Sequence, residues 1–217
     1  GMDRLIDKIV AYKNPTVAGL DPKLSYIPQY IRDAFFNEFE DPFEAAAECL
    51  LTFNKALIDA LCDIVPAVKP QAAYYEMYGA EGLKAYEATL KYAAEKGLVV
   101  IADAKRNDIG STAACYSKAF LGETEVNGAR FSAFPSDFLT VNGYLGTDGI
   151  APFVEDCAKR GKGIFVLVKT SNPSSGELQN LLLENGTPVY EYMGGLVEKW
   201  GEPTAGRYGY SAVGAVV

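Results

Sequence analysis

Six short apolar runs constrain this chain more than any other feature. They cover residues 16–20, 66–70, 98–102, 137–142, 163–168 and 211–217, and segments with helical spacing fall between them. The run at 98–102, five apolar residues of which three are β-branched, reads as a strand buried on both faces. Strands that alternate with helices are joined by helical crossovers and therefore run parallel. Most of the runs end in a polar tip: Asp21, Lys69, Asp103 with Lys105, Asn142, and Thr170 with Ser171. A doubly wound sheet concentrates its site at one switch point, whereas a barrel aims every strand tip at one pocket. Polar tips on successive strands fit a (β/α)8 TIM-type barrel better than a doubly wound sheet, but such a barrel needs eight strands and only six runs are counted; the expectation at this point is a single α/β domain over residues 1–217.

The helical segments carry their own punctuation. Asp41-Pro42-Phe43-Glu44 is a helix start with a capping aspartate, a proline at the first position and a capping-box glutamate. Phe43, Ala46, Ala47, Leu50, Leu57, Ile58 and Leu61 then mark one face. Leu83, Tyr86, Leu90, Ala93 and Ala94 mark the next helix, with Gly97 as its stop. Residues 109–121 read as helix and residues 122–132 as a polar loop. Ile150, Phe153, Val154, Cys157 and Ala158 form a stripe that stops at Gly161, and Met193, Leu196, Val197 and Trp200 form another. The run at 66–70 holds two prolines, too many for an ordinary central strand, though a short barrel strand ending at Lys69 stays open.

Composition removes whole classes of chemistry. The chain has 217 residues, 49% of them hydrophobic, which suits one large domain. Its net charge is −8 and it has no long basic run, so no nucleic-acid partner is expected. No apolar run approaches the ~20 residues of a membrane span, and no signal-peptide pattern opens the chain, so a cytoplasmic protein with no membrane partner is expected. There is no histidine, which removes Ser-His and Cys-His catalysis and nearly all zinc chemistry. Proton transfer falls to Lys, Asp, Glu, Tyr or water. Cys49, Cys62, Cys115 and Cys157 show no CxxC spacing and read as small apolar filler within helices.

The chemistry concentrates where the buried run at 98–102 gives way to charge. Asp103 and Lys105 are two apart and leave the same face of an extended chain; Asp108 follows where the chain turns into a helix. Lys69 ends the preceding strand, and neighbouring strands lie ~5 Å apart, so two lysines and two aspartates can form one alternating network. Charges packed at the end of a buried strand are costly to assemble, which favours a functional reading over a plain salt-bridge network closing a barrel mouth. Flanking carboxylates are expected to keep Lys105 protonated, suited to donating a proton to carbon or steadying a carbanion; an imine, which needs a lysine of lowered pKa, is the weaker idea.

The segment from Val100 to Gly110, with Ile101-Ala102-Asp103-Ala104-Lys105-Arg106-Asn107-Asp108-Ile109 between them, resembles the signature of orotidine 5'-phosphate decarboxylases. Three further stretches resemble other parts of that family in the same order: Val17-Ala18-Gly19-Leu20-Asp21-Pro22, then Val68-Lys69-Pro70-Gln71 with Tyr74-Tyr75-Glu76, then Lys169-Thr170-Ser171-Asn172-Pro173. The likeness runs from about Asp3 to Val217 and is closest to the longer bacterial branch. It implies a (β/α)8 barrel, a homodimer, and conversion of orotidine 5'-monophosphate to UMP and CO2 in de novo pyrimidine synthesis. It implies no cofactor and no metal. It also implies Lys105 as proton donor to pyrimidine C6, Asp103 beside the departing carboxylate, and Lys69 and Asp21 at the ribose hydroxyls. Asp108, with Ile109 and Thr112, is implied to enter the partner's active site, and Ser171 to lie at the pyrimidine ring.

The family grips the substrate phosphate with loops after its seventh and eighth strands, and neither loop is expected to have a counterpart among these 217 residues. The expectation is a segment of a longer polypeptide, inactive alone. Two rivals stay open. One is a Mg²⁺-dependent sugar-phosphate enzyme on the same scaffold, such as hexulose-phosphate synthase or ketogulonate-phosphate decarboxylase; these share Asp-x-Lys-x-x-Asp, but they want a metal-binding carboxylate set near the second strand, where Lys69 stands. The other is a non-catalytic nucleotide-binding subunit. A Rossmann dehydrogenase is poorly supported, because no GxGxxG follows the first strand.

Overall fold

In the computed structural model, which describes residues 1–217, alternating strands and helices fall into two compact units. The first holds Arg4–Ala104 with Ala133–Ser136; the second holds Gly1–Asp3, Lys105–Ser132 and Asp137–Val217.

In the first unit, β1 (Val17–Leu20), β2 (Ala67–Pro70) and β3 (Val99–Arg106, of which residues up to Ala104 belong to this unit) run parallel. The register sets Gly19 beside Lys69, and Ala67 beside Val99. β3 is buried from Val99 to Ala104, as its β-branched run requires. β2 is a true internal strand despite its prolines. Pro66 precedes it and offers its carbonyl to Val99 N at 3.0 Å, and Pro70 closes it and offers its carbonyl to the Tyr86 hydroxyl at 3.3 Å. Prolines at the two ends of a strand remove no interior ladder donor, which is why the expected difficulty does not arise.

The helices of this unit are α1 (Met2–Tyr12), α2 (Gln29–Glu38), α3 (Pro42–Leu61), α4 (Ala73–Glu76) and α5 (Gly79–Glu95). α3 begins as its sequence expects: Asp41 Oδ1 accepts from Phe43 N at 2.8 Å, with Pro42 in the first turn. Its buried side chains include the four-residue row Ala46, Leu50, Asn54 and Ile58, and α3 packs against α5. Phe43, assigned to that face by spacing, is exposed instead, as are Leu83 and Ala94 on α5. α5 ends in a Schellman turn. Leu98 N reaches Ala93 O and Gly97 N reaches Ala94 O, with Gly97 at φ +81°. α1 and α2 have no counterpart in the sequence reading.

In the second unit, β6 (Phe138–Val141), β7 (Gly163–Leu167) and β8 (Val213–Val216) run parallel. Phe138 stacks on Phe165 with ring centroids 5.1 Å apart, and Gly163 lies beneath the Phe138 ring where a Cβ would meet a ring carbon at 2.4 Å. The helices are α6 (Gly110–Phe120), α7 (Thr147–Arg160), α8 (Gly176–Gln179) and α9 (Val189–Gly201). Trp200 of α9 donates from Nε1 to Thr147 Oγ1 at 3.0 Å.

One sequence expectation fails here. Residues 122–132 are not a loop but an antiparallel hairpin, β4 (Thr124–Val126) and β5 (Ala129–Phe131). Asn127 and Gly128 turn it at φ +51° and +78°, the signature of a two-residue hairpin turn. Every residue of the two strands is exposed, so no buried apolar face advertises them.

Candidate active site

A polar cluster of the first unit lies at the C-terminal ends of its strands. Gln71 N donates to Leu20 O at 3.2 Å and Ala72 N donates to Asp103 O at 3.1 Å, so the chain beyond β2 stays pinned between its two neighbours. Gln71 thereby bridges Asp103 in parallel fashion. On an extended backbone, Lys69 and Gln71 send their side chains to the same face. Both reach one atom: Lys69 Nζ lies 2.6 Å from Asp103 Oδ2, and Gln71 Nε2 donates to the same oxygen at 3.0 Å. Asp103 is 5% exposed, while the Lys69 side chain is 34% exposed. A carboxylate that deep is tolerated only when donors replace water, and two donors on one oxygen supply that.

Asp21 follows the last residue of β1 and lines a cavity of about 260 Å³ with Leu20, Pro22, Tyr26 and Asn54. Behind these strand ends, Asn54 Nδ2 donates to the Tyr75 hydroxyl at 2.7 Å and to Thr89 Oγ1 at 3.2 Å. Burial drives the Tyr75 hydroxyl well above the usual phenol range, with the charge of Asp21 adding to the effect, so it stays a neutral hydrogen-bonding group. Asn54 Oδ1 is buried with no hydrogen-bond partner.

The second unit carries the other residues singled out by sequence. Lys105 is exposed and sits near the end of β3 with φ +49°, a left-handed conformation that is costly for a side chain with a Cβ. Its amide donates to Thr140 Oγ1 at 3.0 Å, and Asn142 N donates to Arg106 O at 3.2 Å, which ties this strand end to β6. Non-glycine residues in such a conformation cluster at functional sites. Asp108 accepts from Ile109 N at 2.7 Å, just ahead of α6, where Ile109 stands as the cap and Thr112 lies exposed in the first turn. Ser171 is exposed in the loop after β7. That loop is held by Gln179, whose Oε1 accepts from Thr170 N at 2.9 Å, and by Lys169, whose Nζ donates to Ser175 Oγ at 2.9 Å. An open, mostly apolar groove of about 920 Å³ between α6, α7 and α9 shares only Ile109 with these residues.

Of the alternating network expected from two lysines and two aspartates, the contact the structure describes is Lys69 with Asp103. Gln71 was not singled out for the site, although its two-residue spacing from Lys69 was a signal that could have found it. No group of three or more Cys, Asp or Glu side chains is arranged to hold a metal ion. No helix is long and apolar enough to cross a membrane.

Comparison with known proteins gives a consistent result. Residues 47–199 match the model of the orotidine 5'-phosphate decarboxylase / HUMPS family. The chain is 43% identical over 215 residues to the orotidine 5'-phosphate decarboxylase of Caldicellulosiruptor saccharolyticus, covering 99% of this chain and 70% of that protein. It is 44% identical over 202 residues to that of Rhodopirellula baltica, covering 93% of this chain and 65% of the relative. Among solved structures, one from Streptomyces avermitilis, provisionally described as an orotidine 5'-phosphate decarboxylase, superposes with a TM-score of 0.78 at 34% identity, covering 99% of this chain and 68% of that one. The OMP decarboxylase of Leishmania donovani superposes with a TM-score of 0.67 at 28% identity, covering 93% and 65%. The α/β barrel class expected from the sequence is the class of these structures.

Proposed function

The chain belongs to the orotidine 5'-phosphate decarboxylase / HUMPS family, and from that membership we propose that it converts orotidine 5'-monophosphate to UMP and CO2 in pyrimidine biosynthesis. The observation within the chain that carries this reading is the buried Asp103 carboxylate, held on one oxygen by Lys69 and Gln71 at the ends of parallel strands. Strand ends on that side are where barrel enzymes place their chemistry.

In the proposed reaction the bond from pyrimidine C6 to the carboxylate breaks, the electron pair stays on C6, and the Lys105 ammonium delivers a proton there as CO2 leaves. Asp103 lies beside the departing carboxylate. Lys69 and Asp21 hold the ribose hydroxyls, and Ser171 meets the pyrimidine ring. Asp108, with Ile109 and Thr112, serves the neighbouring active site of a homodimer. No metal or cofactor enters any of these steps.

Magnitudes decide which effect dominates. Like charges ~4 Å apart at an effective dielectric of ~20 repel by ~4 kcal/mol, whereas enzymatic accelerations correspond to ~8–23 kcal/mol. Repulsion between Asp103 and the substrate carboxylate is therefore a minor term. The larger share falls to preorganised stabilisation of the C6 carbanion by Lys105, supported by binding energy from the remote phosphate.

The test is CO2 release from orotidine 5'-monophosphate by the natively expressed polypeptide in the presence of EDTA, with its intact mass read alongside. Turnover that survives EDTA supports the decarboxylase. Activity on a sugar phosphate that EDTA abolishes would replace it with the Mg²⁺-dependent reading. UMP binding without CO2 release would replace it with a binding subunit.

A further inference from the structure

We infer that Gln71 is a positioning residue for Asp103: its amide selects which carboxylate oxygen Lys69 occupies and so fixes how the buried carboxylate faces the reaction. This inference rests on the decarboxylase reading for its catalytic consequence, but not for its structural content.

Four observations converge on Gln71. Its Nε2 donates to Asp103 Oδ2 at 3.0 Å, the oxygen that Lys69 Nζ meets at 2.6 Å. Its backbone bridges Asp103, and its amide N donates to Leu20 O at 3.2 Å, so the residue is fixed on both sides by the sheet. The next residue, Ala72, donates its amide N to Asp103 O at 3.1 Å, which locks the two backbones in register. The amide orientation is set as well, because Gln71 Oε1 accepts from Ala73 N at 3.4 Å and leaves Nε2 turned toward the carboxylate.

A flexible ammonium alone does not choose between two equivalent oxygens. Lysine is a compact point charge on a rotatable stem. A planar amide held from both sides is directional, and a carboxylate with two donors on Oδ2 has its plane set by them. The neutral amide also adds a donor to the charged form without adding a competing positive charge. Hydrogen bonding to the ionised form holds a carboxyl in that form. Gln71 therefore holds the Asp103 carboxyl in one orientation, in a place where only 5% of the residue meets solvent.

The test compares wild type with Gln71→Met, which keeps the bulk but not the donor, and Gln71→Glu, which is isosteric and charged. Two readouts are taken on the natively expressed polypeptide. One is the pH titration of the Asp103 carboxyl carbon by NMR; the other is the pH profile of decarboxylation. The expected result is an Asp103 titration displaced upward by about one pH unit in Gln71→Met and by more in Gln71→Glu. With it comes a kcat reduced about tenfold while KM stays within about twofold. An Asp103 titration that does not move in either variant overturns the inference, whatever happens to stability. Should Gln71→Met fail to fold, Gln71→Glu carries the same comparison. If wild type releases no CO2, the decarboxylase reading fails, and the carboxyl titration still decides the role of Gln71.

Discussion

Lys69 Nζ and Asp103 Oδ2 meet at 2.6 Å across neighbouring parallel strands, with the carboxylate buried and the lysine side chain partly open to solvent. That asymmetry makes the two partners unequal. Removing the lysine takes a countercharge from a buried carboxylate that keeps its Gln71 donor, and breaking a fully buried pair costs ~3–5 kcal/mol. Discounted for the exposed lysine, Lys69→Met is expected to lower unfolding stability by ~2 kcal/mol. Adding Asp103→Asn to that background should restore part of the loss, because a neutral amide is cheaper to keep buried than a carboxylate that has lost its lysine. Urea unfolding of both variants measures it, and a double variant less stable than Lys69→Met would contradict the account.

Lys105 holds a left-handed backbone at φ +49°. An L-residue pays ~1–2 kcal/mol for that conformation, and glycine avoids it at an entropic cost of ~0.5–1 kcal/mol. Lys105→Gly should therefore be more stable than Lys105→Ala by ~0.5–1 kcal/mol, while both abolish the proposed proton transfer. Thermal unfolding compares the two; equal or reversed stabilities would show that the conformation carries no strain.

The four cysteines differ sharply in access. Cys115 is exposed and Cys62 is partly so, while Cys49 and Cys157 are buried. Burial pushes the Cys157 thiol up to about 12, and burial likewise raises Cys49. Thiolates are the reactive form, so at pH 8 an aromatic disulfide reagent is expected to label Cys115 first, Cys62 more slowly, and the buried pair only after denaturant is added. Fast labelling of Cys157 in the folded protein would overturn this order.

On the surface, Asp59 accepts from the Tyr92 hydroxyl at 2.8 Å and pairs with Lys96 at 2.7 Å. The Lys96 hydrogen bond, followed by that of Tyr92, holds the Asp59 carboxyl below its ordinary value, and the same Asp59 contact raises Lys96. The signs then differ. The Asp59 contribution is present above the unfolded carboxylate range and is lost as pH falls through its depressed folded value. The Lys96 contribution is present below the unfolded lysine range and is lost as pH rises through its raised folded value. Asp59→Asn should thus cost a small amount of stability at neutral pH and almost nothing at strongly acid pH, since an exposed pair contributes little. A cost that grows toward acid pH would reverse the assignment.

Some features stayed hidden for physical reasons. The Asn127-Gly128 hairpin has exposed strands on both faces, so periodicity had nothing to report and only the dipeptide itself signalled a turn. Phe43 fits a helical stripe but lies exposed in the first turn of α3, where its edge meets the Tyr78 ring at a centroid distance of 6.1 Å. The buried Asn54 sits in the same four-residue row as Leu50 and Ile58, and a polar residue in an apolar row is read from sequence as a gap in the stripe.

The sequence by itself determined the alternation of buried strands and helices, the stops at Gly97 and Gly161, and the placement of Asp103, Lys105 and Asp108 around one strand end. These follow from local chemistry: apolar periodicity, backbone freedom at glycine, and spacing along one chain. Only the tertiary structure decided that Lys69 and Gln71 share a single oxygen of Asp103, and that Lys105 departs from strand geometry. The first depends on the register between parallel strands more than thirty residues apart, set by hydrogen bonds such as Ala72 N to Asp103 O. The second depends on a strand end held by Thr140 of β6 and by Asn142 just beyond it, a constraint that no local window of sequence contains.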